Sequence, residues 1–397
     1  MLKLGMDMGG SEFRLTDGVS IDRFETDIKE IDINSVSNER DIEDDLLDMV
    51  IESHPNKRFA GRRFVKGEAM GFYKGRLLTQ DNSAFKVEQD TIYINCIYAI
   101  ARYLTLNKSR EGEPLKTTVL LPVTEYFKKT PDLVEKLKSE LAGNITVRFP
   151  MRNNKTVTFK LDKQSIRVGG EGMVTLMKYK NLPGFESGIK IIIDTGKDTT
   201  DITLVKGTEI LGYASASERI GGSNIESIVL NALNKREIAV SREAVRKALC
   251  SNYILKDDIL IDETVKVAKA RETYKEKEVP SALTLEGFSE EDVNSLLHKF
   301  YIMDGATPTD ITEEVVDAKR RIAKTMYDSI KSAFDTQMLH INEASMLICL
   351  GRPFTGLVTD SDCLANLLAN NFQKKIITVQ VDNPHLANAQ ALQDACR

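Results

Sequence analysis

The chain has 397 residues, 42% of them hydrophobic and 28% charged, with a formal net charge of −5 at pH 7. That length holds two or three domains with proper cores. The acidic balance supplies no positive field to hold a phosphate backbone, so direct nucleic-acid binding is not expected and any link to DNA needs an adaptor.

Cys96, Cys250, Cys349, Cys363 and Cys396 lie far apart and make no C-x-x-C or Cys/His metal spacing, and the four histidines are equally scattered. They read as reduced thiols of a cytosolic protein and give no sign of a metal site. Residues 1–7 lack the basic and apolar regions of an export signal. Apolar runs such as Met346-Leu347-Ile348-Cys349-Leu350 are strand-sized, far short of the roughly 20 residues of a bilayer span. A cytoplasmic protein without membrane insertion is expected.

In chain order, residues 3–8 read as a strand, Gly9-Gly10-Ser11 as a tight turn and residues 12–16 as the return strand, which makes a β-hairpin. Strands are expected at 22–26 and across 58–73. Val87, Thr91, Ile94, Ile97, Tyr98, Ala101 and Leu104 recur at spacings of three and four, predicting a long helix. Residues 117–121 form a buried-type strand ended by Pro122, residues 131–141 suit a helix with proline in its first turn, and strands follow at 145–149 and 156–161.

The second half repeats the opening theme with strands at 190–194, 200–205 and 210–214. Beyond Gly221-Gly222 a helical period prevails over 225–233, 241–249, 263–274, 289–300 and 311–334. Residues 345–350 read as a final buried strand, followed by a helix over 359–370, a strand at 375–381 and a closing helix over 383–395. The acidic patch Glu39, Asp41, Glu43, Asp44, Asp45 reads as a solvated face or loop.

The segments Leu4-Gly5-Met6-Asp7-Met8-Gly9-Gly10 and Ile191-Ile192-Ile193-Asp194-Thr195-Gly196-Lys197 share one plan: apolar strand, Asp at its end, Gly two residues on, polar turn and return strand. The chain is internally duplicated. A tight turn between strands aims successive backbone N–H groups at one point and so makes a nest for phosphate oxygens, which glycine lets approach closely. The Asp at each strand end would repel phosphate but can hold the waters of Mg²⁺, which keeps most of its hydration shell. Two such hairpins face to face would clamp a polyphosphate and its metal. A P-loop is absent, and Gly169-Gly170-Glu171-Gly172 does not complete a dinucleotide-binding fingerprint.

These features resemble the actin, hexokinase and heat-shock-chaperone ATPases, whose two phosphate loops and adenosine loop occur in this order. Asp7 to Ser11 is similar to the first phosphate loop and Asp194 to Thr199 to the second. Leu347-Ile348-Cys349-Leu350-Gly351 is similar to the strand and glycine of the adenosine loop. The Leu121-Pro122-x-x-x-Tyr126 segment and the phrase Val381-Asp382-Asn383-Pro384-His385-Leu386-Ala387-Asn388-Ala389 resemble the ParM type, the bacterial plasmid-segregation ATPases.

The resemblance implies an α/β fold, actin-like (ribonuclease H-like), with two related domains around a nucleotide cleft. Domain I would take residues 1–186 and 372–397, with a subdomain over about 28–85, and domain II residues 187–371. It implies an ATPase that polymerises into dynamic filaments and segregates plasmid DNA through a small DNA-bound adaptor. A small-molecule kinase of the same superfamily is the alternative, and it needs an acceptor pocket with a general base that the sequence does not display.

Residue by residue, the resemblance places Glu171 at a strand-to-helix turn facing the γ-phosphate, where a carboxylate can orient or partly deprotonate the attacking water. Asp7 and Asp194 would hold Mg²⁺ through waters. Gly9, Gly10, Ser11, Thr195, Gly196, Lys197, Asp198 and Thr199 would contact phosphate, and Gly221, Gly222 and Ser223 would approach the nucleotide from domain II. Lys269, Glu272 and Lys275 would hold the ribose and purine edge, and Gly351 and Arg352 would meet the base. Lys197, Asp198 and Arg352 depart from the family pattern of small residues: Lys197 adds a cation beside the phosphates, Asp198 opposes it, and Arg352 either stacks on the base or blocks its usual pose. ATP is the expected nucleotide, with GTP possible.

Overall fold

The computed structural model describes residues 1–9, 12–35, 44–79, 81, 84–128, 132–179, 181–182, 184–197, 199–207, 209–216, 220–250, 253–256, 259–262, 300–304, 307–354, 362–373, 375–379, 381 and 386–396. The first half contributes strands β1 (Leu2–Met8), β2 (Glu12–Thr16), β3 (Ile21–Glu25), β4 (Ile28–Ile31), β5 (Asp48–Ser53), β6 (Arg62–Val65), β7 (Gly75–Leu78), β8 (Leu115–Leu121), β9 (Gly143–Phe149), β10 (Lys155–Leu161) and β11 (Ile166–Gly170). The second half contributes β12 (Ile189–Thr195), β13 (Thr200–Lys206), β14 (Glu209–Ala216), β15 (Tyr253–Lys256), β16 (Ile259–Asp262), β17 (Tyr301–Asp304), β18 (Thr307–Asp310), β19 (Ala344–Leu350) and β20 (Ile377–Val379). The helices are α1 (Asp90–Leu106), α2 (Val123–Phe127), α3 (Leu133–Leu141), α4 (Leu176–Tyr179), α5 (Gly222–Lys235), α6 (Arg242–Cys250), α7 (Thr312–Thr336), α8 (Leu364–Ala369) and α9 (Ala387–Cys396).

Two five-stranded sheets follow the same plan. One runs β3-β2-β1-β8-β11 and the other β14-β13-β12-β19-β20. In each, the first three strands form an antiparallel meander and the last two lie parallel to the first. The duplication seen in the hairpins therefore extends to whole sheets. A central strand covered on both faces has no solvent side to keep polar, which is why β12 reads Ile-Lys-Ile-Ile-Ile and is buried up to Asp194. The amphipathic α7 packs on the second sheet through Val315, Ala318, Ile322, Met326 and Ile330.

A third sheet, β10-β9-β5-β6-β4-β7, is inserted into the first half. Its β10 alternates strictly, with Val157, Phe159 and Leu161 buried and the residues between them exposed. The helix α1 contacts both this sheet and β1. Its buried residues consequently run around the whole circumference, including Ile92, Tyr93, Ile94, Ile97, Tyr98 and Ile100, instead of forming the single stripe predicted.

Several expectations are corrected. Residues 58–73 hold one strand and the short helix Gly67–Gly71, whereas β4, β5, β7 and β11 were not anticipated. The chain beyond Gly222 is not wholly helical, because β15–β16 and β17–β18 form hairpins. Asp44 and Asp45 lie in a half-exposed turn, as expected, and also pair with Arg102 of α1 and Arg152 of the β9–β10 turn, each at 2.7 Å. Glu39, Asp41 and Glu43, the helix expected over 263–274, and the helix expected over 289–300 up to residue 299 lie outside the described residues. Among those residues no helix is long and apolar enough to cross a membrane.

Candidate active site

In open α/β sheets the space beyond the carboxyl ends of parallel strands is where ligands bind, because loops and unpaired backbone amides converge there. Asp7 lies near the end of β1, Glu171 immediately follows β11, Asp194 lies near the end of β12 and Gly351 follows β19. Every parallel strand that bears a predicted site residue presents it at this edge.

The two hairpin turns are closed in the same way. The Gly9 N–H donates to the Glu12 carbonyl at 3.0 Å, and the Gly196 N–H to the Thr199 carbonyl at 2.8 Å. Asp7 stands opposite Arg14 in register, and Asp194 opposite Asp201. Asp7 is buried and accepts from Arg14 Nη1 at 2.8 Å. The second loop is braced by α5, whose Gly222 and Ser223 N–H groups donate to the Gly196 and Lys197 carbonyls at 3.1 and 2.8 Å. Gly351, at φ +99°, lies so near this loop that a Cβ on it would stand 1.9 Å from the Thr195 carbonyl oxygen.

Glu171 is fixed by its backbone, whose N–H donates to the Leu121 carbonyl at 2.7 Å. Its carboxylate accepts from Lys86 Nζ at 2.7 Å, and the same ammonium donates to the Met8 carbonyl at 2.8 Å. Lys86 is in turn held from behind: the buried Glu125 accepts from the Lys86 and Val87 N–H groups at 2.7 and 3.2 Å. Asn388, in the first turn of α9, donates from Nδ2 to Asp194 at 2.7 Å and accepts the Gly172 N–H at 3.0 Å.

No protein-family model and no curated protein matches the chain. Solved structures do. A ParM filament from Clostridium botulinum is 14% identical, with 100% of this chain and 98% of that one covered and a TM-score of 0.56. Bacillus thuringiensis ParM with ATP is 15% identical, with 100% and 98% covered and a TM-score of 0.55. An archaeal actin homolog in complex with ADP is 14% identical, with 100% and 99% covered and a TM-score of 0.58. This chain has the actin-like fold.

At this edge of the sheets the charges are unbalanced. Burial pushes Glu171 up to about 7, opposed by the Lys86 ammonium and reinforced by Asp194 and Asp7. Burial likewise pushes Asp194 up to about 6, opposed by the Asn388 hydrogen bond and reinforced by Asp7 and Asp201. Burial works against the charge on Lys86, but Glu171, Glu125 and Asp201 outweigh it and hold the ammonium above its ordinary value. A cation placed beside Glu171 and Asp194 relieves the negative charge that helps to raise both. Among the described residues no three His, Cys, Asp or Glu side chains converge closely enough to ligate an ion directly. The donor set thus fits a hydrated Mg²⁺ held through its waters better than a stripped ion.

Gly9, Thr195, Gly196, Lys197, Thr199, Gly221, Gly222, Ser223 and Gly351 are all placed at the loops of this edge, while Gly10, Ser11, Asp198, Lys269, Glu272 and Lys275, and the side chain of Arg352, lie outside what is described. Sequence reasoning missed Lys86, Glu125 and Asn388 as site residues. Asn388 carried a signal, a lone polar residue between Ala387 and Ala389; Lys86 carried none.

Proposed function

We propose that this actin-like chain binds a magnesium–nucleoside triphosphate between its two like halves, hydrolyses it, and polymerises head to tail in the nucleotide-bound state. What supports this most is the convergence of Asp7, Glu171 and Asp194 at the carboxyl ends of two sheets built on one plan. The halves are those expected, residues 1–186 with 372–397 and residues 187–371, with two corrections: β20 pairs with β19 and so belongs with the second half, and the insert over about 28–85 is joined in its sheet by β9 and β10. The ADP and ATP complexes and the filament among its structural neighbours favour the same ligands and the same self-association here.

Asp7 and Asp194 hold Mg²⁺ through waters, and when bound this ion supplies positive charge against the phosphoryl oxygens. The turns at Gly9-Gly10-Ser11 and Thr195 to Thr199 point backbone amides at the phosphates, with Lys197 adding a cation. Gly221-Gly222-Ser223 closes on them from the second half, Gly351 and Arg352 meet the base, and Lys269, Glu272 and Lys275 hold the ribose and purine edge. Glu171 orients the attacking water and accepts its proton, while Lys86 fixes the carboxylate. A heterologous contact that does not close on itself yields a filament instead of a ring. The filament moves plasmid DNA in the cytoplasm through a small DNA-bound adaptor, in keeping with the net charge of −5.

Light scattering with parallel phosphate release, after ATP-Mg or GTP-Mg is added to the purified chain, tests this. A rise in scattering followed by decay as phosphate appears is expected. No rise with either nucleotide would remove the filament, and no phosphate release would remove the hydrolase.

A further inference from the structure

Asn388 occupies a position that neither phosphate loop explains. It lies 216 residues from Gly172 and 194 from Asp194, yet its one amide group bonds to both, at 3.0 and 2.7 Å. A primary amide is planar, with donor and acceptor at a fixed angle. It can bridge two groups only when both stand at set positions, and once it does so it holds them there. Gly172 is bonded directly to Glu171, so its N–H fixes the peptide that carries that carboxylate.

The support behind Asn388 is rigid. A Cβ on Gly5 of β1 would stand 2.8 Å from Leu392 Cβ, so α9 lies tightly on the first sheet. Gln393 Nε2 further along α9 donates to the Val19 carbonyl at 2.8 Å. Gly172 itself, at φ +75°, faces the second sheet closely, with a Cβ there meeting Ile192 Cγ2 at 3.3 Å and Asp194 Cβ at 3.7 Å. The loop carrying Glu171 and the strand end carrying Asp194 thus meet with Asn388 across the seam.

We infer that Asn388 is a positioning residue for phosphoryl transfer, holding the Glu171 loop and the Asp194 carboxylate in one register from the C-terminal helix. By donating to Oδ2 it leaves the other Asp194 oxygen to accept from a metal-bound water, and by accepting from Gly172 it prevents the Glu171 peptide from rotating. This role rests on the nucleotide-hydrolysing function proposed above. Partners that orient metal-binding groups commonly contribute about 10- to 100-fold to activity or metal affinity.

The experiment uses the full chain with Asn388→Ala and Asn388→Asp. In the alanine variant kcat for ATP should fall about 10- to 100-fold, with KM for ATP near the wild-type value and a higher Mg²⁺ requirement. Without nucleotide, its Gly172 amide should exchange with deuterium faster than in the wild type, at little cost in Tm. The aspartate variant keeps the acceptor for Gly172 and loses the donor to Asp194. At alkaline pH, with the new carboxyl ionised, its Gly172 should stay protected while kcat falls as in the alanine variant. Wild-type kcat in the alanine variant, a Tm loss with kcat intact, or a Gly172 amide that stays protected would each overturn the inference. A wild-type chain that turns over no nucleotide would overturn the hydrolase itself and this role with it, an outcome distinct from an active wild type beside an unaffected variant.

Discussion

Replacing Gly351 with alanine perturbs the cleft where the loop after β19 crosses the second hairpin. The added methyl would meet the Thr195 carbonyl oxygen at 1.9 Å and its carbonyl carbon at 2.8 Å, at a φ of +99° that side chains rarely adopt. Two costs follow and can be separated. The backbone conformation costs about 1–3 kcal/mol for a non-glycine residue. The contact is roughly 1.5 Å short of ordinary van der Waals separation, so Thr195 must retreat by a comparable distance. Thr195 follows Asp194 directly, and a displacement of about 1 Å at reacting groups costs about a hundredfold in rate. Gly112→Ala is the control, because Gly112 has φ +86° and nothing within 4 Å of the added methyl. Both variants should lose stability in urea titrations, but only Gly351→Ala should lose about two decades in kcat/KM for ATP. Wild-type kcat/KM in Gly351→Ala, or an equal loss in Gly112→Ala, would refute the placement of Gly351 against the nucleotide loop.

Glu171→Ala should still polymerise but release phosphate about 100-fold more slowly or worse, seen as long-lived scattering after one addition of ATP; release at the wild-type rate would exclude Glu171 as the catalytic carboxylate. In the nucleotide-free chain the raised carboxyls make stability pH-dependent. Protonated Glu171 stabilises the fold below 4.5, and that contribution is lost as pH rises through about 7. It amounts to about 3 kcal/mol at the usual conversion. Glu171→Gln should flatten Tm against pH over this window, and Mg²⁺ should raise the wild-type Tm more above neutrality than in acid; the reverse order would contradict the carboxylate cluster. Lys66 is almost wholly buried, its Nζ donating to Asn95 Oδ1 at 2.6 Å and facing the rings of Phe24 and Tyr98. Burial pushes it from 10.5 down to about 7, so the stability gained by leaving it neutral is lost as pH falls through that window. The loss is about 4–5 kcal/mol. Lys66→Met should flatten urea-measured stability between these pH values, and an unchanged slope would show that the lysine stays charged in the folded chain.

Features that depend on neighbours in the chain were legible. The Asp-x-Gly hairpins and the buried runs of β12 and β19 each follow from a few consecutive residues, whereas the place of Glu171 at a strand end came only from the family resemblance. The insert was harder to read. Strands β4 and β6 are only four residues long and carry Lys29, Glu30, Arg62 and Arg63, whose charges are met by partners far away, as Arg62 is by Glu30 and Asp90. The burial of α1 on all sides was hidden because two sheets cover it, and its sequence records only that both faces are apolar.

The sequence by itself determined that two like halves each end a strand in Asp, turn through glycine and return, because hairpin chemistry is local and cannot be moved without changing those residues. Tertiary structure alone decided which groups meet at that edge. Parallel strands place the ends bearing Glu171 and Asp194 side by side, and packing of the turn before α1 and of α9 around them lets Lys86 reach Glu171 across 85 residues and Asn388 reach Asp194 across 194. The same enclosure raises the two carboxyls toward neutrality, since a group's proton affinity depends on the water and charges around it and not on its place in the chain.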